Sequence, residues 1–185
     1  MKKVMRGGVF AAITMVAASV IAAAPETFSA TATVKKGGVS ATAPVKVNVT
    51  KYATDAERTA ATNAVKQGGT KALQTLLASK PAVGFLQLGD KQTPIKLAVE
   101  RASGGGRLIT VVTAEPILHL GEGVPQAKPV TGFDLALATF EVQSKGPGVG
   151  DLSPAAKITI DDKGAFVIDD YGQTVVWLNN IAVQK

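Results

Sequence analysis

Between residues 45 and 52, VKVNVTKY alternates: Val45, Val47 and Val49 share one face, and Lys46, Asn48 and Thr50 share the other. That pattern predicts a half-buried strand. The period then changes. TDAERTAATNAVKQGG opens with Thr54 and Glu57 at capping-box spacing, in which each side chain satisfies the other's free backbone N–H. Gly68 or Gly69 supplies a stop. TKALQTLLASKP predicts a second, shorter helix, with Leu73, Leu76 and Leu77 as its apolar stripe and Pro81 as its end. The two are expected to form a helical hairpin. The first helix offers only Ala60, Ala61, Ala64 and Val65, so it is expected to lie close to whatever it covers.

From residue 82 onward the period is two. VGFLQL is one strand, and PIKLAVER is another, with Ile95, Leu97 and Val99 expected inward. ASGGG turns the chain and RLITVVT returns it, as in a hairpin. FDLALATFEVQ (133–143), KITID, AFVID and TVVWLNN follow. The connections are short enough to favour antiparallel neighbours. The expected fold is α+β: an N-terminal strand, a helical hairpin, then an antiparallel meander of about seven strands covered on one face by the helices. A closed barrel with a helical lid is the alternative.

The N-terminus alters the boundaries of that domain. MKKVMRGG carries Lys2, Lys3 and Arg6, and residues 9–24 carry no charge. This is the pattern of a secretory signal peptide. The apolar run is shorter than the roughly 20 residues that span a bilayer. Small residues at cleavage spacing allow a cut after Ala24 or after Ala32, so 1–32 reads as signal, 33–43 as a flexible linker and 44–185 as one domain. The location expected is periplasmic or secreted, with membrane contact only through the signal segment if it stays uncleaved. Cysteine is absent, so an exported chain of this kind relies on burial alone for its stability.

Charge and side-chain chemistry narrow the function by exclusion. Beyond residue 32 there are 17 basic and 13 acidic side chains, a net charge of +4, and they are scattered. Nucleic-acid binding normally needs a basic stripe with stacking aromatics, so that partner is not expected. No serine sits in a G-x-S-x-G elbow. His119 is the one histidine, which argues against a serine triad or a protein-built zinc site. SGGGR (103–107) lacks phosphate-loop spacing and reads as a turn. No cofactor and no resident metal are expected.

The stretch ITIDDKGAFVIDDYG (158–172) holds four aspartates around a glycine. A calcium loop starting at Asp161 would need acids or amides where Lys163 and Ala165 stand, and a glutamate where Gly172 stands. A hairpin with acidic turns fits better. Two connections, 115–132 and 144–154, are long and rich in Pro and Gly, and long loops on a rigid sheet often carry binding sites. Glu115, His119, Glu122 and Asp134 are the candidate ligand-binding residues. A groove or exposed apolar patch is expected near Leu118 to Val130. Carboxylate pairs drawn from Glu115, Glu122, Asp134, Glu141 and Asp151 are the candidates for hydrolysis. The aromatic residues are expected to be core packing.

GDLSPAAKITID and DDYGQTVVWLNN, with the early VKVNVTKY, resemble a family of exported bacterial proteins of the acidobacterial type that closes on an NYGxxxVxLxN-like segment. Asp170 stands where that segment has asparagine, and TAEPILH stands where an acidic, arginine-containing stretch would be. The resemblance covers roughly residues 44 to 181. It implies export and the fold class, and no catalytic residue. Three functions remain open: a non-catalytic binding or interaction domain with an unknown envelope or extracellular partner, a small carboxylate-based periplasmic hydrolase or lyase, and an envelope-associated structural protein with an uncleaved N-terminal anchor. The first is preferred.

Overall fold

The structure, a computed structural model, describes residues 24–36, 38–120, 128–160, 166–170 and 176–184. Its strands are β1 (Glu26–Lys36), β2 (Val39–Val49), β3 (Gly84–Leu88), β4 (Lys91–Ser103), β5 (Gly106–Thr113), β6 (Leu135–Gln143), β7 (Gly148–Ile160), β8 (Phe166–Asp170) and β9 (Val176–Gln184). The helix α1 spans Asp55–Ala78. Most of the proposed signal segment, residues 1–23, lies outside the described residues, as do Glu122, Asp161, Asp162 and the DDKG turn.

From β1 to β8 successive strands pair in antiparallel register, and β9 returns to pair with both β7 and β1. The circuit β1–β2–β3–β4–β5–β6–β7–β9 is therefore a closed eight-stranded barrel among the described residues. Closure leaves these strands no free edge. The strand β8 pairs with the far part of β7, from Ala156 to Ile160, whereas β6 reaches only to Ala156. The β7–β8 pair thus runs on past the end of β6. The alternative reading, a barrel accompanied by a helix, describes this architecture.

Four expectations need correction. The connection expected over 144–154 is strand from Gly148 onward, the first part of β7. Residues 33–43, expected as a linker, fall in strand at 33–36 and 39–43: β1 alternates Phe28, Ala32 and Val34 inward with Thr27, Ser29, Thr31 and Thr33 outward, and β2 begins at Val39. The domain therefore starts well before Pro44. The helical hairpin is one kinked element instead, because Gly68 and Gly69 leave helical geometry (φ −157° and +60°) for only two residues. Finally, Ile95, Leu97 and Val99 do not share a face. A bulge between Ile95 and Leu97 keeps Ile95 in the barrel core and turns Leu97 and Val99 to the outer wall, with Ala98 inward.

Two apolar clusters result. The barrel interior is built on Phe28 and Phe140, whose rings meet edge to face at 5.2 Å between centroids, with Val45, Val47, Leu86, Ile109 and Leu178 around them. The second cluster lies outside the barrel. There Ala61, Val65, Leu73 and Leu77 of α1 pack on Leu97, Val112, Leu135, Leu137 and Ile158. The strand β6 shows why both exist: its alanines and Phe140 point in, while Leu135 and Leu137 point out beneath α1. Gly84 (φ +144°) marks a tight crossing, since a Cβ there would lie 1.9 Å from the Asn48 carbonyl oxygen.

The helix is fixed at both ends of its first segment. The capping box forms as expected: Glu57 N–H donates to Thr54 Oγ at 3.2 Å and Thr54 N–H donates to Glu57 Oε2 at 2.8 Å. These bonds, with Lys51, hold the Glu57 carboxyl down at about 2. At the kink, the buried Thr70 hydroxyl accepts from Ile158 N–H at 2.6 Å and donates to Ile158 C=O at 3.1 Å. Ile158 stands beyond the end of β6, so one hydroxyl takes the place of a missing strand. Thr70→Val keeps the shape and orphans two buried backbone groups. It should cost about 1–3 kcal/mol in urea unfolding and raise amide exchange at Ile158.

Candidate functional site

The barrel itself has no chamber. Between Phe28, Ala30, Val47, Phe140, Leu178 and Ile181 the remaining space admits no water molecule. One mouth is closed by the 114–120 segment, whose Ile117 and Leu120 join the barrel core while Ile117 N–H donates to Pro154 C=O at 2.7 Å. Thr113 fixes the start of this segment: its hydroxyl bonds Glu115 C=O at 2.5 Å and accepts from Ala136 N–H at 2.9 Å.

The opposite mouth is closed by charge. Arg107 on β5 donates through Nη2 to Glu26 Oε1 at 2.8 Å and through Nη1 to Glu26 Oε2 at 3.0 Å and Glu100 Oε1 at 3.1 Å. Tyr52 O–H donates to the same Glu26 Oε2 at 2.7 Å. The Arg107 guanidinium, helped by Tyr52, holds the Glu26 carboxyl below its ordinary value against the cost of burial. Burial and the bond to Glu26 push the Tyr52 phenol well above its ordinary value. This network seals the barrel mouth; beside it, Tyr52 lines a small cleft of about 280 Å³ with Lys51, Lys80 and Lys96.

A larger concavity lies outside the barrel, between α1 and the wall it covers. It has a volume of about 490 Å³ and is half open to solvent. That falls in the range of about 300–1,000 Å³ found for small-molecule pockets. Val99, Leu97, Thr110, Val112, Leu137 and Thr139 of β4, β5 and β6 form its floor; Arg58, Ala61, Val65 and Leu73 of α1 form one wall; Ile158 and Ile168 close the far side. The floor exists because of the β4 bulge, which brings Leu97 and Val99 out of the barrel. The helix wall of the groove is built from short side chains, Ala61 and Val65, with Arg58 beside them. The first segment lies close to the wall, as its small side chains lead one to expect: Ala61 and Val65 are buried in the outer cluster. Thr110 and Thr139 pair across β5 and β6 with their hydroxyls 3.3 Å apart, so the floor's polar atoms are already partnered.

A second, shallower concavity lies on the wall of β6, β7 and β9, around Trp177, Asn179, Glu141 and Asp151. Trp177, the chain's single tryptophan, is 58% exposed and points out of the barrel, so core packing does not account for it. The structure thus brings two of the five candidate acids, Glu141 and Asp151, to one open face. The Ser103 hydroxyl donates to Glu141.

The candidate ligand-binding residues are not at the groove. Glu115 is exposed and His119 half-buried in the segment that plugs the barrel mouth. Asp134 precedes β6, where Gln74 Nε2 ties its carbonyl (3.4 Å) to that of Ala114 (3.2 Å). The chain at Glu115 and Asp134 is thereby brought together through backbone atoms, and Glu122 lies outside the described residues. Of the apolar patch expected near Leu118 to Val130, residues 121–127 lie outside the described residues, Leu120 is buried in the barrel core and Val130 is exposed. Among the described residues no three His, Asp or Glu side chains gather closely enough to hold a metal ion. None of the described helices is long and apolar enough to cross a membrane.

The fold and this concavity define a closed antiparallel barrel with an external, helix-walled apolar groove. No protein-family model, curated protein or solved structure matches the chain.

Proposed function

We propose that this chain is an exported, non-catalytic binding domain, working in the periplasm or outside the cell, that holds an apolar small molecule in the groove between α1 and the barrel wall. The observation that carries the reading is the groove itself: about 490 Å³ lined mainly by apolar side chains, beside a barrel whose interior is filled. Left to water, such a surface costs roughly 25 cal/mol for each Å² of apolar area, which an apolar ligand would recover on binding. The site's floor is rigid sheet and its polar atoms are satisfied, so it offers shape and apolar contact without a nucleophile or a general base. A carboxylate hydrolase has less support, because Glu141 and Asp151 meet on an open face and not in a water-excluding cleft.

The test is titration of the neutral fluorophore N-phenylnaphthylamine into the wild-type protein and a Val99→Trp variant. Val99 is half-buried on the groove floor and packs outside the barrel core, so the indole should occupy the groove without entering the barrel. Wild type should enhance the fluorescence saturably; the variant should lose that response while its melting temperature stays within about 2–4 °C. Absence of saturable binding to the wild type, or unchanged binding to Val99→Trp, would count against the groove as the site.

A further inference from the structure

The groove has a direction. The start of α1 is held beside β4, because Ala53 N–H donates to Ala98 C=O at 2.7 Å. The kink is held beside β7 by the Thr70–Ile158 bonds. Arg58, one turn into α1, and Arg101, one strand repeat beyond Val99, therefore lie toward the same end. Leu73, Ile158 and Ile168 lie toward the other. These two arginines are the charged residues that line the groove. Arg58 is already partnered by Asp55 one turn away. Arg101 is exposed, and among the described residues it makes no ion pair.

We infer that the occupant is a single-chain amphiphile with an anionic head, of the fatty-acid type, its apolar tail lying along Leu97 and Leu137 toward Ile158 and its carboxylate at Arg101. This rests on the groove being the binding site, as proposed above. A guanidinium offers a planar fork that matches a carboxylate and is less strongly hydrated than an ammonium, so it suits a head group at the edge of an apolar site. Charge-assisted hydrogen bonds of this kind are about twice as strong as neutral ones. An apolar groove with cations at one end only is complementary to a molecule with the same polarity.

The experiment is displacement of bound N-phenylnaphthylamine near neutral pH by dodecanoate and by dodecanol, which share a chain and differ in the head. Dodecanoate should compete at a concentration about tenfold lower than dodecanol. Arg101→Gln should bring the two within about twofold of each other, each read against the variant's own affinity for the neutral fluorophore. Arg101→Lys, which keeps the charge and loses the fork, should retain part of the preference. Arg58→Gln should matter less, because Asp55 already offsets that charge. If the fluorophore binds but the acid and the alcohol compete equally, or if the preference survives Arg101→Gln, the anionic head is wrong and the binding reading stands. If the fluorophore does not bind at all, the binding reading fails and takes this inference with it.

Discussion

A chain that begins at Thr33 should not fold, whereas a chain that begins at Pro25 should. The strand β1 is paired with β2 over its whole length and with β9 on its other edge, so it is the strand that closes the barrel. Starting at Thr33 removes its pairings from Glu26 to Ala32. It also removes Phe28, the partner of Phe140 in the core, and Glu26, the acid that Arg107 holds at the barrel mouth. Loss of a buried phenylalanine alone costs about 3–5 kcal/mol. The exposed edges of β2 and β9 and an Arg107 left with Glu100 alone add to that, against a total stability of about 5–15 kcal/mol for a domain of this kind. Circular dichroism and amide exchange on the two chains would decide it: cooperative melting and slow exchange in β2 are expected from Pro25 and neither from Thr33. Equal folding of both would mean that β1 is dispensable and that the barrel need not close. The outcome also bears on export. Of the two cleavage points readable in the sequence, the cut after Ala24 leaves β1 whole, and the cut after Ala32 runs through it.

The strand β1 was legible in principle. Phe28, Ala30, Ala32 and Val34 alternate with threonines and a serine. Two things obscured it: the apolar members are mostly alanines, and the segment follows an apolar leader, so small residues read as cleavage site and linker. Alanine suffices at these positions because the interior of a closed barrel is narrow and Phe28, Phe140 and the valines of β2 already fill it. The bulge in β4 was not legible. ILE–LEU–VAL alternation at Ile95, Leu97 and Val99 is what an unbroken strand shows, and only pairing with β5 reveals that the register shifts. That hidden shift supplies the groove floor, which is why the candidate site fell instead on the long loop at 115–132. The loop's apolar residues were read as an exposed surface, yet Ile117 and Leu120 are needed to close a barrel mouth that an open sheet would not have. The capping box and the glycine break in the helix were readable because both are local chemistry. Whether a two-glycine break folds back as a hairpin or kinks one helix depends on Thr70 reaching Ile158, a contact between residues far apart in sequence.

Replacing Arg107 with methionine should reverse the sign of the pH dependence that the barrel mouth contributes. In the wild type, Arg107 keeps Glu26 below its ordinary carboxyl value. A carboxyl held low in the folded state binds fewer protons than in the unfolded state, so its contribution is present above the unfolded value of about 4.3 and is lost as pH falls through the lowered folded value. In Arg107→Met the same carboxyl is partly buried beside Glu100, since both acids were bonded to one guanidinium nitrogen at 3.0 and 3.1 Å. Burial and the neighbouring negative charge then raise the value of Glu26. Acids raised in the folded state destabilise it as pH climbs from the unfolded value through the raised one, so this part of the variant's stability falls between about pH 4 and pH 7. Near neutral pH the loss should be about 2 kcal/mol, less than the 3–5 of a fully buried pair because these side chains are up to a third exposed. Glu57, held at about 2 by the capping box, adds the same acid dependence to both chains and cancels in their difference. Urea unfolding at about pH 4 and about pH 7 gives that difference directly. The gap between wild type and Arg107→Met should narrow on acidification; a gap that stays constant would mean that Arg107 contributes packing at the barrel mouth and no charge coupling to Glu26.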